Sequence, residues 1–294
     1  MLNLGAPEPS GMYDARRDLV EVLHDLGYVE GRNLEVERRY AGGRVERLPS
    51  LAAELVQRPV DVLVAFGSDA VRAALEATKA IPIVILIAGQ DPVELGFVPS
   101  LARPGRNVTG VVLGTVLAGK RLELLKEAVP RATRIAMLAT GGAAGRRQVM
   151  EAERAAMLLG VRLVVVEEKE RDYERAFTTM RGERVGALFV GASPILHADR
   201  RRIIELAARY RLPAIYQWAE HVEEGGLMAY GASSRWATRR VATYVDRVFK
   251  GANPAELPVE QATALTLAFN LKTAKALGLT IPPSLLQRAD QVIE

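Results

Sequence analysis

The chain lacks cysteine altogether and contains only three histidines among its 294 residues. Without cysteine it can form no disulfide framework, no cysteine–zinc cluster and no thiol nucleophile. The histidines (His24, His197 and His221) lie far apart in the sequence and form no pair spaced four residues apart, so a dedicated histidine metal site is not expected. We therefore expect neither a metal nor a cofactor.

Long apolar runs are also missing. The longest, Ile81–Ala88, contains Pro82 and falls far short of the ~18–20 residues that a membrane span needs. Residues 1–11 show no basic segment followed by an apolar one, so no signal peptide is expected within this chain. An exported protein whose leader has been removed would look the same, so the compartment stays open at this point.

The composition is that of an ordinary globular protein, with 49% hydrophobic and 25% charged residues. A chain of 294 residues is near twice the ~100–200 residues of a usual domain, which predicts two domains. The 39 basic and 35 acidic residues are interleaved, and the densest basic runs, Arg200–Arg202 and Arg239–Arg240, fall inside helical patterns as solvated faces do. Nucleic acid is therefore not an expected partner.

Short β-branched runs alternate with longer amphipathic runs along the chain. The pattern predicts strands over residues 34–39, 60–66, 81–87, 108–113, 134–139, 161–166, 187–190, 214–216 and 227–231. It predicts helices over residues 45–57, 69–79, 120–128, 146–159, 173–180, 198–210, 235–250 and 271–277. Strands that are apolar throughout and alternate with helices are typical of parallel sheets covered on both faces.

The alternation restarts near residue 134, which predicts two similar α/β lobes. Single elements follow the second alternation, and we expect them to be shared between the lobes. The predicted division is 1–113 plus 235–262 for lobe one, and 114–234 plus 263–294 for lobe two.

Signatures of catalysis are mostly absent, since the chain has no G-x-G-x-x-G, Walker A lysine, G-x-S-x-G or H-E-x-x-H motif. The loop Thr140–Gly145 resembles a phosphate-binding loop but lacks the Gly-Lys-Ser/Thr ending, so we interpret it as a strand-to-helix turn. No nucleophile with a positioned base is visible. The sequence therefore predicts a protein that is not an enzyme.

Polar residues follow several predicted strands, at the edge where open α/β sheets bind ligands. Ser68 and Asp69 follow the strand 60–66, where either could cap the next helix and where a helix start also forms a cradle for a carboxylate. Three similar loops contain Gln90 with Asp91, Ser193, and Tyr216 with Gln217. Each loop alone is consistent with an ordinary turn. Together they place polar residues along the ligand-binding edge of each of the two predicted sheets.

Several stretches resemble one family. They are Gly27–Leu34, Asp91–Val93, Pro104–Gly110, Asn270–Leu279, Ile281-Pro282 and Ala289–Ile293. From about Tyr13 to Glu294 the chain resembles the substrate-binding proteins of ABC transporters, in the family that includes the tryptophan/tyrosine-uptake binding proteins. The resemblance implies a type I periplasmic-binding-protein fold, with two Rossmann-like lobes, three hinge crossings and hinge closure around a ligand.

The resemblance also implies a function, namely the solute-binding component of an ABC importer. Such a protein would be periplasmic or extracytoplasmic, would work with the permease subunits, and is expected to be a monomer. The ligand contacts that we predict are Tyr13, Ser68, Asp69, Gln90 and Asp91 from lobe one, and Thr140, Ser193, Tyr216, Gln217 and Tyr230 from lobe two. The two serines would hold a polar head, and the three tyrosines would cover the body of the ligand.

The predicted solute is a small carboxylic acid with an apolar or aromatic body. Aromatic-amino-acid binders of the family carry an aspartate in the second-lobe loop, whereas Gly191–Pro194 contains no acid in this chain. An enclosed ammonium group without a partner is costly. If Asp69 caps its helix, Asp91 remains as the main acid, and an amino acid stays as the alternative solute.

Two other readings stay open. The same fold serves as the ligand-sensing domain of regulators, although no helix-turn-helix pattern precedes the first strand here. An α/β enzyme that uses Asp69 or Asp91 as a base is the weakest reading, because neither residue has a visible catalytic partner.

Overall fold

Strands alternate with helices through the computed structural model, which describes residues 1–3, 15–113, 117–262 and 264–294. In chain order the strands are β1 (Leu2–Asn3), β2 (Arg39–Tyr40), β3 (Leu63–Phe66), β4 (Ile83–Ala88), β5 (Val108–Leu113), β6 (Arg134–Ala139), β7 (Arg162–Glu167), β8 (Ala187–Val190), β9 (Ala214–Tyr216), β10 (Met228–Ala232), β11 (Glu260–Gln261), β12 (Leu265–Asn270) and β13 (Gln291–Ile293).

The helices are α1 (Ala15–Asp25), α2 (Leu48–Val56), α3 (Ser68–Ala77), α4 (Ala118–Ala128), α5 (Gly142–Leu159), α6 (Tyr173–Gly182), α7 (Pro194–Ala198), α8 (Arg200–Arg209), α9 (Ala219–Glu223), α10 (Ser234–Phe249), α11 (Leu271–Leu277) and α12 (Pro283–Leu286). Short 3-10 turns occur at Val45–Arg47 and Pro254–Glu256. Over the residues that the structure describes, no helix is both long enough and apolar enough to cross a bilayer.

The chain divides into two compact units. Unit 1 comprises Met1–Thr115 and Ser234–Thr263, and unit 2 comprises Val116–Ser233 and Ala264–Glu294. The chain therefore passes from one unit to the other three times.

Unit 1 is built on a six-stranded sheet with the strand order β11-β5-β4-β3-β1-β2. Every pair of neighbours in this sheet is parallel. Helices α1 and α10 pack on each other, and α10 packs on β4 and β5, while α2 packs on α3, which contacts β1, β3 and β4. Helices on a parallel sheet explain why β3, β4 and β5 are apolar along most of their length.

Unit 2 contains a seven-stranded sheet with the order β13-β12-β10-β9-β8-β6-β7. All neighbours are parallel except β10 and β12, which run antiparallel. Successive residues of one strand belong to different clusters of core side chains: Ile135 and Met137 lie in one, and Ala136 and Leu138 lie in the other. Both faces of this sheet are therefore covered, and the predicted fold class of two α/β lobes with parallel sheets is confirmed.

Two predicted elements differ from the structure. In the predicted strand 34–39 only Arg39 joins a strand, β2, because the segment is rich in charge and its exposed residues have no apolar face to bury. The predicted helix 198–210 corresponds to α8, which begins only at Arg200, because Ala198 ends the preceding helix α7 and Asp199 separates the two. The Asp199 carboxylate accepts hydrogen bonds from Arg171 and from the Tyr173 hydroxyl, which fixes the break.

Gly110 in β5 is required by close approach of the neighbouring strand. Its φ is +138°, and an added Cβ would lie 2.3 Å from the backbone oxygen of Ile85 in β4. We expect Gly110→Ala to lower the free energy of unfolding by roughly 3 kcal/mol or more, because strain and a backbone clash add together. Urea denaturation measures this effect.

The matched control for Gly110 is Gly182, in the last turn of α6, where an added Cβ meets no atom within 4 Å. Gly182→Ala should be neutral or stabilising by up to about 1 kcal/mol, because alanine is the better helix former. Equal free energies of unfolding for the two variants would contradict the close-approach argument.

Candidate functional site

Each sheet has one point where its strand order reverses. In unit 1 the chain passes from β1 to β2 on one side, and β3, β4 and β5 follow on the other; in unit 2, β6 is flanked in the same way by β7 and β8. Loops after the two strands at such a point diverge and leave a crevice at their carboxyl ends, where α/β folds of this order bind ligands. The switch points therefore lie beyond β1 and β3 in unit 1, and beyond β6 and β8 in unit 2.

The loop after β3 brings Ser68 and Asp69 to the switch point of unit 1. Helix α3 begins at Ser68, and its N-cap residue is Gly67, with φ +86° and no side-chain cap. The expectation that Ser68 or Asp69 caps this helix is therefore wrong. Glycine occupies the cap because its positive φ would strain any other residue.

Both side chains are available at this helix start. Ser68 is half-buried and Asp69 is exposed, and neither makes a side-chain hydrogen bond within the described part of the chain. The amide of Val71 bonds to the Gly67 carbonyl, so the amides of the three residues before it have no partner within the helix. Among the described residues, the first amides of α3 and the Asp69 carboxylate thus lie side by side without a hydrogen-bond partner.

Desolvation raises the pKa of Asp69, and the charge of Arg72, three residues further along the helix, partly opposes this rise. A carboxylate whose ionised form is disfavoured by its surroundings gains from a cation that comes close to it. Asp69 is therefore suited to accept a positively charged group.

The second loop of unit 1 contains Gln90 and Asp91. Asp91 Oδ1 accepts a hydrogen bond of 2.8 Å from the Val93 amide and stabilises the turn that leads into Pro92. Gln90 is buried and forms no side-chain hydrogen bond to any described residue. Of the two predicted acidic contacts, Asp91 accepts a hydrogen bond from a backbone amide, whereas Asp69 accepts none from the described residues. Tyr13, the remaining predicted contact from this half, lies outside the described residues.

Thr140 and Ser193 lie at the switch point of unit 2, directly after β6 and close after β8. Ser193 is the N-cap of α7, and its Oγ accepts hydrogen bonds from the amides of Ile195 and Leu196 at 3.1 and 3.3 Å. Its hydroxyl proton is still free to be donated. Thr140 is half-buried, and Gly145 approaches its carbonyl so closely that an added Cβ would lie 1.7 Å from the oxygen.

Gln148, which the sequence did not single out, holds the loop that carries Ser193. The buried amide of Gln148 donates from Nε2 to the Ala192 carbonyl at 2.8 Å and accepts at Oε1 from the Ala192 amide at 2.7 Å. Two bonds to one backbone unit fix both its position and its orientation.

We expect Gln148→Leu to free this loop. Loss of both bonds leaves two backbone groups unpaired, which costs roughly 1–3 kcal/mol of stability. Amide hydrogen exchange should show loss of protection at Ala192, whereas Gly191, whose amide bonds to the Leu138 carbonyl at 2.9 Å, should stay protected. Unchanged exchange at Ala192 would contradict the assignment.

The predicted role of Tyr216 is wrong. Tyr216 is the last residue of β9 and is 1% exposed, within the core cluster that also contains Val190 and Ala214, and its ring stacks on His221 at 5.1 Å. Burial raises the pKa of its hydroxyl. Its ring is part of the core of unit 2 and does not cover a ligand.

The next residue, Gln217, fits its predicted role better. Its Oε1 atom is buried and has no hydrogen-bond partner among the described residues. The same holds for Nε1 of its neighbour Trp218, whose ring lies 5.7 Å from His221 and 4.5 Å from His197. Tyr230, in β10, is half-buried and packs against the core cluster of the other sheet face.

Arg121 in α4 is the charged residue that the sequence reading missed. It is buried, its Nη1 atom donates to the Val190 carbonyl at 3.4 Å, and its guanidinium lies 4.9 Å from the centre of the Phe189 ring. Burial lowers its pKa to about 10, and the charge of Glu151 opposes this. The spacing of residues along α4 indicates its position, since Ala118, Arg121 and Leu125 fall on one face of the helix and that face is buried.

Within the described ranges, no three histidine, aspartate or glutamate side chains come together as a metal site would require. Among the described residues, the polar side chains at the two switch points are hydroxyls, amides, the carboxylate of Asp69 and the buried guanidinium of Arg121. Such groups bind and orient a polar solute.

Comparison with known proteins gives consistent results. A family model described as ABC transporter substrate binding protein matches residues 7–293. A protein of Clostridioides difficile described as a tyrosine-binding protein is 26% identical over 270 residues, which is 90% of this chain and 76% of that protein.

Solved structures agree over the whole chain. A conserved domain protein from Vibrio cholerae has a TM-score of 0.84 at 28% identity, covering 99% of this chain and 98% of the other. An ABC domain from Streptococcus pneumonia in complex with L-Trp has a TM-score of 0.83 at 25% identity, covering 99% of each chain. A 5-methylthioribose transporter solute binding protein from Thermotoga lettingae, at 14% identity and a TM-score of 0.64, shares the fold. The predicted type I periplasmic-binding-protein architecture is confirmed.

Proposed function

The chain belongs to the ABC transporter substrate binding protein family, and from this membership we propose that its solute is an amino acid with an aromatic side chain. The protein binds this solute and delivers it to the permease of an importer without altering it. The tyrosine-binding protein of Clostridioides difficile and the ABC domain in complex with L-Trp are not described as regulators, the alternative that the sequence left open.

One observation carries the choice of solute: the start of α3 offers free amides and the free carboxylate of Asp69. An amino acid brings a carboxylate and an ammonium group on one carbon atom, so it needs donors and an acid close together. The amides of the first turn and the Ser68 hydroxyl would hold the carboxylate, and Asp69 would hold the ammonium group.

This proposal changes the solute that the sequence alone favoured. The preference for a carboxylic acid without an ammonium group depended on the missing acid in Gly191–Pro194 and on Asp69 being occupied as a helix cap. Gly67 occupies the cap position instead, so the second of these two reasons no longer holds. The relatives support the change, since one is described as a tyrosine-binding protein and another is a complex with L-Trp. The desamino acid becomes the alternative.

Other contacts are proposed from their places at the carboxyl ends of the strands. Gln90 in unit 1, and Thr140, Ser193, Gln217 and Tyr230 in unit 2, lie in or beside these loops. Tyr13 stays a proposal from the family resemblance alone. Tyr216 is withdrawn because its ring is in the core.

We propose the rest of the function on the basis of family membership. We place the protein on the outer side of the cytoplasmic membrane, as a monomer that contacts the permease subunits, with no role for nucleic acid. Bound solute should be recovered chemically unchanged after long incubation, because no nucleophile with a positioned base occurs among the candidate contacts. Mass spectrometry of the released solute tests this, and a converted product would favour the enzyme reading.

A thermal-shift screen tests the proposed solute class. L-tyrosine, L-tryptophan and L-phenylalanine, each beside its desamino analogue, are compared with L-glutamate and L-lysine. We expect the aromatic amino acids to raise Tm most, since a ligand present at 100 times its Kd stabilises the native state by ~2.7 kcal/mol. Shifts only with the desamino acids would restore the earlier preference, and shifts with none of the aromatic compounds would contradict the proposal.

A further inference from the structure

Arg121 is a buried cation that forms no ion pair with any residue that the structure describes. It is 2% exposed, and its contacts in the described part of the chain are the Val190 carbonyl at 3.4 Å and the face of the Phe189 ring. Its Nε atom is buried and forms no hydrogen bond. Glu151 acts on it through its charge, but the two side chains form no ion pair.

Arg200 in the same unit shows how a buried arginine is usually held. Its side chain is 3% exposed and that of Glu224 is 6% exposed, and Nη2 of Arg200 lies 3.0 Å from Oε1 of Glu224. Burying a guanidinium without such a partner is strongly unfavourable, and one carbonyl and one aromatic face compensate only part of the loss. Arg121 therefore has capacity for an anion that the described residues do not fill.

The position of Arg121 indicates where that anion comes from. Val190 is the last residue of β8, so the guanidinium reaches the carboxyl end of a strand at the switch point of unit 2. The next strand, β9, pairs with β8. Gln217 and Trp218, which follow the end of β9, also carry buried polar atoms that form no hydrogen bond with any described residue. Unsatisfied buried groups are rare in native proteins, and their concentration at one edge of the sheet points to a ligand.

We propose that Arg121 is the anion-binding residue of this protein and that it pairs with the carboxylate of the bound solute. The inference rests on the proposed function and deepens it, because it makes a carboxylate group an obligatory part of the solute. The guanidinium binds a carboxylate with two parallel N–H donors, and a carboxamide of the same shape cannot replace its charge. With a pKa of about 10, Arg121 stays a cation at neutral pH.

The test compares carboxylates with carboxamides in the wild type and in Arg121→Met. The probes are L-tyrosine against L-tyrosinamide, and acetate against acetamide as probes that need no aromatic body. The wild type should prefer the carboxylate by about 100-fold or more, and Arg121→Met should reduce this preference to less than about 5-fold. The control Arg288→Met removes an exposed arginine that pairs with Glu127 in the same unit and should leave the preference unchanged.

A second readout separates binding from structure. Removing an uncompensated buried charge should leave the Tm of the ligand-free protein unchanged or higher in Arg121→Met. Arg200→Met should lower the Tm, because it removes the buried partner of Glu224 and leaves that carboxylate with the more exposed Arg201. If Arg121→Met does not fold, Arg121→Gln keeps a donor for the Val190 carbonyl and serves in its place. A large loss of ligand-free stability in both variants would make Arg121 a structural residue and overturn the proposal.

The outcomes distinguish this inference from the proposed function. If L-tyrosine binds and the Arg121 variants keep the preference for the carboxylate, the assignment of Arg121 is wrong and the function stands. If no aromatic probe binds but acetate stabilises the wild type and not Arg121→Met, the function is wrong and the anion site stands. Absence of any carboxylate effect on the wild type overturns both.

Discussion

Replacing Asp69 with asparagine should weaken the binding of L-tyrosine by about 100-fold, or ~2.7 kcal/mol. Asparagine keeps the shape of the side chain but removes the charge that we assign to the ammonium group. The affinity for 3-(4-hydroxyphenyl)propionate, which lacks the ammonium group, should stay within about 3-fold of the wild-type value. This ligand has no positive charge that the Asp69 carboxylate could attract, so loss of that charge changes its binding little. Titration calorimetry of both ligands gives the two numbers.

Asp91 supplies the matched control for this experiment. In Asp91→Asn the side-chain oxygen can still accept the hydrogen bond from the Val93 amide, so the turn is kept while the charge is lost. We expect no change in the preference for the amino acid. The reverse result, with the preference lost in Asp91→Asn and kept in Asp69→Asn, would make Asp91 the ammonium partner.

Glu224→Gln should have the largest effect on stability, about 3–5 kcal/mol of the free energy of unfolding. The substitution removes the carboxylate that lies 3.0 Å from Nη2 of Arg200, whose side chain is 3% exposed. It also removes the charge partner of Arg201, whose Nε atom lies 3.4 Å from Oε2. A buried charge deprived of its partner is far more costly than an exposed one.

Glu174 provides the control, because it forms ion pairs with Arg202 and Arg209 while its side chain is 46% exposed. Glu174→Gln should cost less than about 1 kcal/mol, since exposed ion pairs contribute little.

Two units unfold in this chain, so the comparison needs a signal from unit 2 alone. In a Trp236→Phe background, Trp218 is the remaining tryptophan and reports on unit 2 in denaturant titrations. An equal loss of the free energy of unfolding in Glu224→Gln and Glu174→Gln would contradict the claim that the buried ion pair contributes more than the exposed one.

Much of the fold could be predicted because the central strands are buried on both faces. The predicted strands 134–139, 187–190 and 214–216 coincide with β6, β8 and β9. Two- or three-residue strands at or near the sheet edges were not predictable in the same way. β11 is Glu260–Gln261, a polar pair whose strand character comes only from its neighbour β5.

The candidate site was predictable only in part. The rule that ligands bind at the carboxyl ends of strands finds Ser68, Ser193 and Gln217, and it needs no side-chain geometry. It failed for Tyr216 because the ring of this last residue of β9 packs into the core of unit 2, and the strand boundary alone does not reveal which way a terminal side chain packs. Whether Asp69 caps its helix depends on the φ of Gly67, which the sequence does not reveal.

Arg121 was missed for a different reason. On a helix, a single arginine among apolar residues is usually a solvated side chain at the border of the apolar face, because its long stem can carry the charge to water. Here Ala118, Leu122 and Leu125 surround it on the buried side of α4, and the guanidinium stays inside. Packing of α4 against β8 and β9 decides this, and such packing is a property of the folded chain.

The most direct test of the proposed function is titration calorimetry of the wild-type protein with L-tyrosine and with its desamino analogue, followed by mass spectrometry of the recovered ligand. We predict one molecule of L-tyrosine bound per chain, at least about tenfold more tightly than the analogue, and recovered unchanged. Failure of L-tyrosine to bind, equal affinity for the two compounds, or recovery of a converted product would each contradict the proposal that this protein binds an aromatic amino acid for transport.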